Sequence, residues 1–271
     1  MEAQFERQVT NFKTSIANKS DDEIVQISQQ VQKEHDDLWQ KAQKLADEKG
    51  IKSGRQLDIL ETLTEEERQE YRLLQSKVSA LSSEKTIREY NYLDGILRKP
   101  EDKPLKTMHS AEYGTEAERD QLLRYYDDYQ CNSAYRGQGG SINVKEELMD
   151  SLFKKAPALE EDAVVYRSVN ALSSKNQPFI DSLKDGFVID NPGYTSTATI
   201  VKDSQFYQFT SDVVSKNTDG VLMRIHLPKG TKGVLGGHNE YLLPRNSKIK
   251  INKINLIDGI KVADCEYILP N

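Results

Sequence analysis

Three short segments, residues 164–168, 193–197 and 240–245, carry the side chains with the clearest capacity for chemistry. Each segment places a polar residue beside an apolar, strand-like run, so neighbouring strands can bring these residues into one cleft. An arginine, a serine and a glutamate would then share a pocket. Arginine binds anionic groups through forked hydrogen bonds, and a carboxylate can stabilise a neighbouring positive charge.

A second carboxylate competes for that role within the same chain. Residues 264–270 also place an acidic residue two positions before a glutamate, Glu266, and then an apolar run. We favour Glu240 because a further strand follows it, whereas Glu266 lies close to the end of the sequence.

Composition narrows the class of protein. The 271 residues are 37% hydrophobic, enough for one large domain or two small ones. The net charge of -6 and the pI near 5.4 argue against nonspecific attraction to nucleic acid or anionic lipid. No apolar run approaches the roughly 18 residues of a membrane span. No signal peptide is visible, and we expect a soluble protein that is either cytoplasmic or secreted.

The cysteines and histidines predict no metal site. Cys131 and Cys265 are too few for a disulfide scaffold, and we expect both to be reduced structural thiols. The histidines lack the spacing of a zinc-binding motif. They are His35, His109, His226 and His238.

The first hundred residues are typical of helices. Residues 20–23 and 64–67 both match a capping box, in which a hydroxyl and a glutamate side chain each bond to the other's backbone N–H. An apolar seam at sevenfold spacing predicts a helix over residues 21–48. A second apolar stripe follows residue 64, and the two long helices are expected to pack antiparallel.

The amino-acid composition of the chain changes near residue 105. Two prolines and alternating charges make residues 97–104 the best linker candidate. We therefore predict a helical region at 1–104, which covers the second domain, targets it, binds a partner or self-associates. Residues 105–271 add helices at 115–131 and 144–155 and then β-rich runs. This order predicts an α+β domain with mainly antiparallel strands.

Five segments, taken in order, carry a resemblance to a known family. They are 132–136, the Tyr166-Arg167 pair, 196–198, 225–230 and 238–240. Over roughly residues 115–270 the chain resembles the mono-ADP-ribosyltransferases, which include the C3-like and binary actin-modifying toxins and phage-encoded transferases. The resemblance implies a β-sandwich-like ADP-ribosyltransferase fold with flanking helices. It also implies transfer of ADP-ribose to a macromolecule, by a toxin, an effector or a phage-encoded enzyme.

The resemblance also assigns roles to residues. It implies NAD as co-substrate, with no metal, and the binding residues Arg167, Arg136, Ser196, Thr197 and Ser168. Arg167 would neutralise the pyrophosphate, with Arg136 as a second phosphate contact. Glu240 would stabilise the positively charged ribose while Ser196 orients that carboxylate. Catalysis would therefore rest on Glu240, Ser196 and Arg167, and Thr197 would support the strand.

Two positions depart from the family pattern. Ala198 stands where the family usually has a serine, which removes one hydroxyl. His238 stands where the family has glutamate in arginine-modifying enzymes, or glutamine in those that modify asparagine and some other acceptors. His238 and Asn239 are the candidate target-recognition residues. Because imidazole cannot replace a fixed carboxylate against a guanidinium, the sequence does not name the acceptor.

Two loops near the candidate site have compositions that bear on ligand binding. Residues 230–239 contain four glycines, which predicts a loop able to reshape on substrate binding. Residues 198–212 hold Phe206, Tyr207 and Phe209, which would contact the ligand or lie in the core.

One alternative function is that of an NAD glycohydrolase, in which water replaces the acceptor. The other is a non-enzymatic binding or particle-associated protein that retains the fold.

Overall fold

The computed structural model describes residues 2–52, 55–127, 130–169, 177–201 and 220–270. The described residues up to Glu89 form one compact unit, and those from Tyr90 onward form a second. This boundary lies inside a helix and earlier than position 104. No helix in the described ranges is long and apolar enough to cross a membrane.

The first unit contains the helical region. Its helices are α1 (Glu2–Ala17), α2 (Asp21–Glu48), α3 (Gln56–Leu60) and α4 (Glu65–Leu97), of which α4 extends past the boundary. Both predicted capping boxes are present. The Ser20 and Thr64 hydroxyls each accept a hydrogen bond from the backbone N–H three residues on, and the backbone N–H groups of Ser20 and Thr64 donate to the side chains of Glu23 and Glu67. These caps explain why α2 and α4 begin where the sequence predicts.

Side-chain pairs confirm that α2 and α4 run antiparallel. Arg88 donates to Asp21 over 2.7 Å, Lys85 donates to Ser28 over 3.0 Å, and Lys41 pairs with Glu67. As the residue number along α2 increases, the number of the residue that it contacts on α4 decreases, so the two helices run in opposite directions. The predicted seams meet in a buried cluster whose members are Ile16, Ile24, Val31, Leu74, Ala80 and Leu81. Burial of these side chains stabilises each helix more than its intrinsic propensity does.

In the described part of the chain, the second unit combines four α-helices with an eight-stranded sheet. After the last turns of α4 its helices are α5 (Glu116–Asp127), α6 (Gln130–Tyr135), α7 (Glu146–Lys155) and α8 (Gln177–Ser182). The strands are β1 (Ala163–Val169), β2 (Val188–Asn191), β3 (Thr195–Ala198), β4 (Val221–Leu227), β5 (Val234–Leu235), β6 (Glu240–Leu243), β7 (Ser247–Ile257) and β8 (Ile260–Ile268). A helical part followed by strands confirms the predicted α+β class.

The strand order is β2-β7-β8-β4-β1-β3-β6-β5, and every pair except β4 with β8 is antiparallel. Strands β6 and β8 are separated by three others in this order. Tyr241 of β6 and Tyr267 of β8 nevertheless belong to the same buried hydrophobic cluster. The sheet therefore curls around one buried cluster that both tyrosines share, which gives the predicted sandwich-like core.

The segment predicted as a linker is attached to the sheet. Asp102 accepts a hydrogen bond from Arg224 Nε over 2.9 Å and another from the Tyr166 hydroxyl over 3.2 Å. Lys99 donates to both oxygens of Asp264 over 3.0 Å each, and Arg224 also bonds to Asp264 over 3.3 Å. Alternating charges at 97–104 therefore serve an ion-pair network, a role that composition alone did not indicate.

Candidate active site

Strand pairing brings together the residues that the sequence singled out. Strand β3 lies between β1 and β6, and in this register Tyr166 is opposite Ala198, which is in turn opposite Glu240. Arg167 is the residue after Tyr166 on β1. Ser196 lies two residues before Ala198, on the same face of β3 as Ala198. Three residues that are distant in sequence thus lie on three adjacent strands.

Arg167 is the half-buried cation of this group. Its guanidinium donates to the Ser196 carbonyl oxygen over 2.6 Å. The pKa of Arg167 is lowered to about 10, chiefly by burial and also by repulsion from Arg136, while Tyr125 and Glu240 act in the opposite direction. Arg136 reaches the same part of the sheet, because its partner Asn191 bonds to Thr195, the residue before Ser196.

Arg136 follows α6 and supplies a second guanidinium, and we call Arg136 and Arg167 the guanidinium pair. Its Nε donates to the Asn191 Oδ1 over 3.1 Å. Although Arg136 reaches solvent, desolvation by the surrounding atoms lowers its pKa. The hydrogen bonds described for the pair thus end on uncharged oxygens. Two neighbouring cations whose charge is disfavoured by their surroundings suit an anionic ligand.

Two buried asparagines hold the framework of the guanidinium pair. Asn132 donates to the Tyr125 hydroxyl over 2.8 Å and accepts from the Tyr194 N–H over 2.9 Å. Asn191 donates to the Tyr194 carbonyl over 3.2 Å and to the Thr195 hydroxyl over 2.5 Å. Sequence reasoning identified the segment of Asn132 but missed Asn191. The only indication of Asn191 in the sequence is the Asn-Pro-Gly turn signature that begins at that residue.

The hydroxyl residues of the candidate site differ in their surroundings. Thr197 is buried and donates to the Tyr241 carbonyl over 2.5 Å, which adds a side-chain bond to the β3–β6 ladder. Ser196 is half-buried between the strands of Arg167 and Glu240. Ser168 is also half-buried, and it pairs with Leu222 on the β4 side of β1.

A 3₁₀ turn over Gly237–Asn239, the Gly237 turn, leads directly into Glu240. The Gly236 N–H donates to the Glu240 carbonyl and the Thr199 N–H donates to the Asn239 carbonyl, each over 3.0 Å. Asn239 is exposed and adopts a left-handed φ of 57°. The backbone of this turn, which contains His238, is thereby fixed next to the half-buried Glu240.

The glycines before this turn allow close packing. A Cβ on Gly233 would overlap the Tyr241 ring, and one on Gly236 would overlap the Tyr126 hydroxyl. Between them, Val234 and Leu235 pair with β6 as the edge strand β5. The predicted irregular loop therefore contains a short strand. Whether the segment reshapes on substrate binding stays a prediction.

A cavity of about 860 Å³ lies beside the Gly237 turn. Its walls come from three places: the segment 109–111, helix α5 with the residue before it, and Gly237. The lining is mixed, with carboxylates at Glu116 and Asp120 and apolar side chains at Leu122 and Leu123. A volume of this size accommodates a ligand or several side chains of a partner.

The rival carboxylate lies elsewhere. Glu266 is exposed on β8, opposite His226 of β4 and Lys250 of β7. Two strands, β4 and β1, separate β8 from β3. Glu240 is the glutamate that shares the neighbourhood of Arg167 and Ser196.

Neither thiol lies in a reactive setting. Cys131 and Cys265 are buried and not joined in a disulfide, and burial raises the pKa of the Cys265 thiol to about 12. The described ranges contain no group of three or more histidine, cysteine or acidic side chains placed to hold a metal ion. Phe206, Tyr207 and Phe209, predicted as ligand contacts or core, lie outside the described residues.

Comparison with solved structures gives similar chains of low identity. Plx2a, an ADP-ribosyltransferase toxin from Paenibacillus larvae, is 18% identical over 68% of this chain and 96% of its own, with a TM-score of 0.46. C3larvin toxin, an ADP-ribosyltransferase from the same organism, is 23% identical over 57% of this chain and 97% of its own, with a TM-score of 0.42. The enzymatic component C2-I of the Clostridium botulinum C2-toxin is 21% identical over 59% of this chain and 45% of its own, with a TM-score of 0.44.

A search of curated proteins finds no match to the chain. The family model for the ADP-ribosyltransferase exoenzymes, in contrast, matches residues 98–269, which is more than half of the sequence. That span contains β1, β3 and β6 with Arg167, Ser196 and Glu240. The chain belongs to the ADP-ribosyltransferase exoenzyme family.

Proposed function

We propose that the chain is an NAD-dependent mono-ADP-ribosyltransferase that modifies a macromolecule, with residues 105–271 as the catalytic domain. The observation that carries this proposal is the guanidinium pair, whose described hydrogen bonds go to uncharged oxygens, beside the half-buried Glu240. Family membership supports ADP-ribosyl transfer, and the side chains support NAD as its donor.

The guanidinium pair fits a dinucleotide. NAD carries a negatively charged pyrophosphate, and Arg136 and Arg167 offer two neighbouring forked donors. A bound anion would compensate the desolvation that lowers the pKa of each guanidinium. Asn191 fixes Arg136 through the Oδ1 contact, and the Ser196 carbonyl fixes Arg167. Pyrophosphate binding therefore needs little reorganisation of these side chains.

Glu240 supplies the carboxylate for cleavage. The bond between the nicotinamide nitrogen and ribose C1′ breaks, and nicotinamide leaves with the bonding electron pair. Positive charge develops on the ribose, and the Glu240 carboxylate stabilises it from the start of β6. The acceptor then forms its bond to C1′ and loses a proton to solvent. Cleavage without an acceptor would consume water in that last step.

The hydroxyl residues hold this arrangement. Ser196 is proposed to orient the Glu240 carboxylate and to line the nicotinamide pocket, since β3 lies directly between β1 and β6. Thr197 fixes the spacing of β3 and β6 through its bond to the Tyr241 carbonyl. Ser168, next to Arg167, is proposed as a further contact to NAD.

The acceptor is proposed to be a protein that meets the Gly237 turn. His238 and Asn239 lie in this turn immediately before Glu240, so an acceptor side chain that reaches ribose C1′ passes them. The residue type that accepts ADP-ribose is not assigned, because His238 is neither the glutamate nor the glutamine of the family pattern. The region 1–104 is proposed to target or cover the catalytic domain, through a partner or self-association.

Labelled NAD tests the proposal. The chain and its Glu240→Gln variant are incubated with NAD that carries the label on the adenosine side, with and without a cell lysate. We expect label on a macromolecule with the unaltered chain, and none with Glu240→Gln.

The other outcomes identify the alternatives. Free labelled ADP-ribose with no labelled macromolecule would contradict transfer and support an NAD glycohydrolase. Unconsumed NAD, together with no NAD binding by calorimetry, would support a binding protein that retains the fold. An equal amount of label with Glu240→Gln would contradict the assigned carboxylate.

A further inference from the structure

His109 contacts the backbone beside the candidate active site from a position far away in sequence. The side chain is exposed, yet its Nε2 lies 3.0 Å from the Gly236 carbonyl oxygen, 127 residues further along the chain. The backbones at His109 and Leu235 also form an isolated parallel bridge. His109 and Gly237 both line the 860 Å³ cavity. This histidine thus lies against the segment that leads into the Gly237 turn.

The hydrogen bond at Nδ1 of His109 determines which ring nitrogen carries the hydrogen. The Ala111 N–H donates to the Nδ1 over 3.1 Å, as part of a capping box on the 3₁₀ turn Ser110–Glu112. Because Nδ1 accepts this bond, the ring hydrogen belongs on Nε2 in the neutral imidazole. Nε2 then donates to the Gly236 carbonyl. One side chain therefore caps a turn and holds a loop at once.

Gly236 is connected directly to the carboxylate residue. Its N–H donates to the Glu240 carbonyl, while its carbonyl accepts from His109. The two bonds hold Gly236 from both sides, and Tyr126 packs so closely that any side chain at Gly236 would overlap its hydroxyl. A displacement of Gly236 would thus be transmitted to the Gly237 turn and to the start of β6.

We propose that His109 is a positioning residue for Glu240, acting through Gly236 and the Gly237 turn. This inference rests on the proposed function, because the consequence of mispositioning is read in NAD cleavage. The guanidinium pair does not contact His109 through any of these bonds. Loss of the Gly236 bond should therefore affect the bond-breaking step and leave NAD binding intact.

Two substitutions separate the two bonds of His109. In His109→Asn the side-chain oxygen still caps the turn at Ala111, but the shorter amide does not reach Gly236. In His109→Gln the amide nitrogen reaches the position of Nε2 and can donate to the Gly236 carbonyl, while the cap is lost. A positioning role predicts that Gln restores activity and Asn does not, and a capping role predicts the reverse.

The full chain and both variants are assayed for nicotinamide release from NAD and for backbone amide exchange in residues 234–243. We expect His109→Asn to lower kcat about tenfold with an unchanged KM for NAD, and His109→Gln to stay within about threefold of the unaltered chain. Exchange in 234–243 should rise in His109→Asn alone. Gly236→Ala, which reaches the same turn by overlap with Tyr126, should also lower kcat.

Two results would overturn the inference. One is a His109→Asn variant with unchanged kcat and unchanged exchange, and the other is a loss of kcat that is equal in both variants. If the unaltered chain releases no nicotinamide, the proposed function fails, and amide exchange decides the inference alone. In that case, faster exchange in His109→Asn than in His109→Gln supports the holding role, and equal exchange refutes it.

Discussion

The guanidinium pair and the Gly237 turn are held by different kinds of contact. Buried side-chain bonds from Asn132 and Asn191 surround the pair, whereas backbone bonds and the exposed His109 hold the turn. A buried polar group that loses its partner costs about 1–3 kcal/mol, so the first arrangement tolerates little change. Backbone bonds do not depend on side-chain identity. Under the proposed function, we therefore expect acceptor recognition to vary at the turn while the binding of NAD is retained.

The largest expected effect concerns the carboxylate that lies between these two regions. Glu240→Gln should lower nicotinamide release on the order of 10²–10³-fold, because the amide cannot stabilise the developing positive charge. Glu266→Gln is the matched control, since it changes the exposed carboxylate on β8, and its rate should be unchanged. Full activity in Glu240→Gln, or loss in Glu266→Gln, would place the catalytic carboxylate elsewhere.

Arg167→Lys tests the guanidinium pair. A lysine keeps the charge but loses the forked donors, so the KM for NAD should rise about tenfold to a hundredfold with a smaller change in kcat. Steady-state kinetics of nicotinamide release measure both parameters. Arg136→Lys should have a weaker effect in the same direction, because Arg136 is the more exposed of the two. A fall in kcat at constant KM would argue that Arg167 acts on the reacting atoms instead.

Asn191→Ala tests whether the buried framework is rigid. The substitution removes the acceptor of Arg136 Nε and the donor to the Tyr194 carbonyl. We expect a loss of about 1–3 kcal/mol in the free energy of unfolding and a rise of a few-fold, roughly, in the KM for NAD. Chemical denaturation and kinetics provide the two values. An unchanged free energy of unfolding would show that the hydrogen bonds of Asn191 do not hold a rigid framework around the guanidinium pair.

His238→Gln should have the smallest effect on nicotinamide release and a visible effect on the acceptor. The Gly237 turn is fixed through its backbone, so the substitution should leave the position of Glu240 nearly unchanged. The pattern of labelled proteins in a lysate should change, because His238 belongs to the turn that we propose the acceptor meets. A loss of NAD cleavage as large as that of Arg167→Lys would remove the distinction between the two regions.

Sequence reasoning succeeded where structure follows from local pattern. The capping boxes at Ser20 and Thr64, the seams of α2 and α4, and the β-rich runs depend on residues within a few positions of one another. It did not identify Asn191 or His109. Their hydrogen bonds cross 55 residues to Arg136 and 127 residues to Gly236, and only the tertiary fold brings those atoms together.

The ion pairs of residues 97–104, the candidate linker, show the same limit of sequence reasoning. Proline and alternating charges at 97–104 have the composition of an exposed connection, but the partners of those charges, such as Arg224 and Asp264, lie more than a hundred residues away. Composition does not reveal whether a charge is paired. The boundary between compact units, after Glu89, falls where the helical sequence continues without interruption.

Peptide mass spectrometry of a lysate treated with NAD and the chain tests the central claim most directly, because it detects the new bond to the acceptor. The account predicts acceptor peptides that carry ADP-ribose after treatment with the unaltered chain and are absent after treatment with Glu240→Gln. The residue type that carries the modification would also assign the specificity set at the Gly237 turn. Consumption of NAD to free ADP-ribose without any modified peptide, or no consumption of NAD at all, would contradict it.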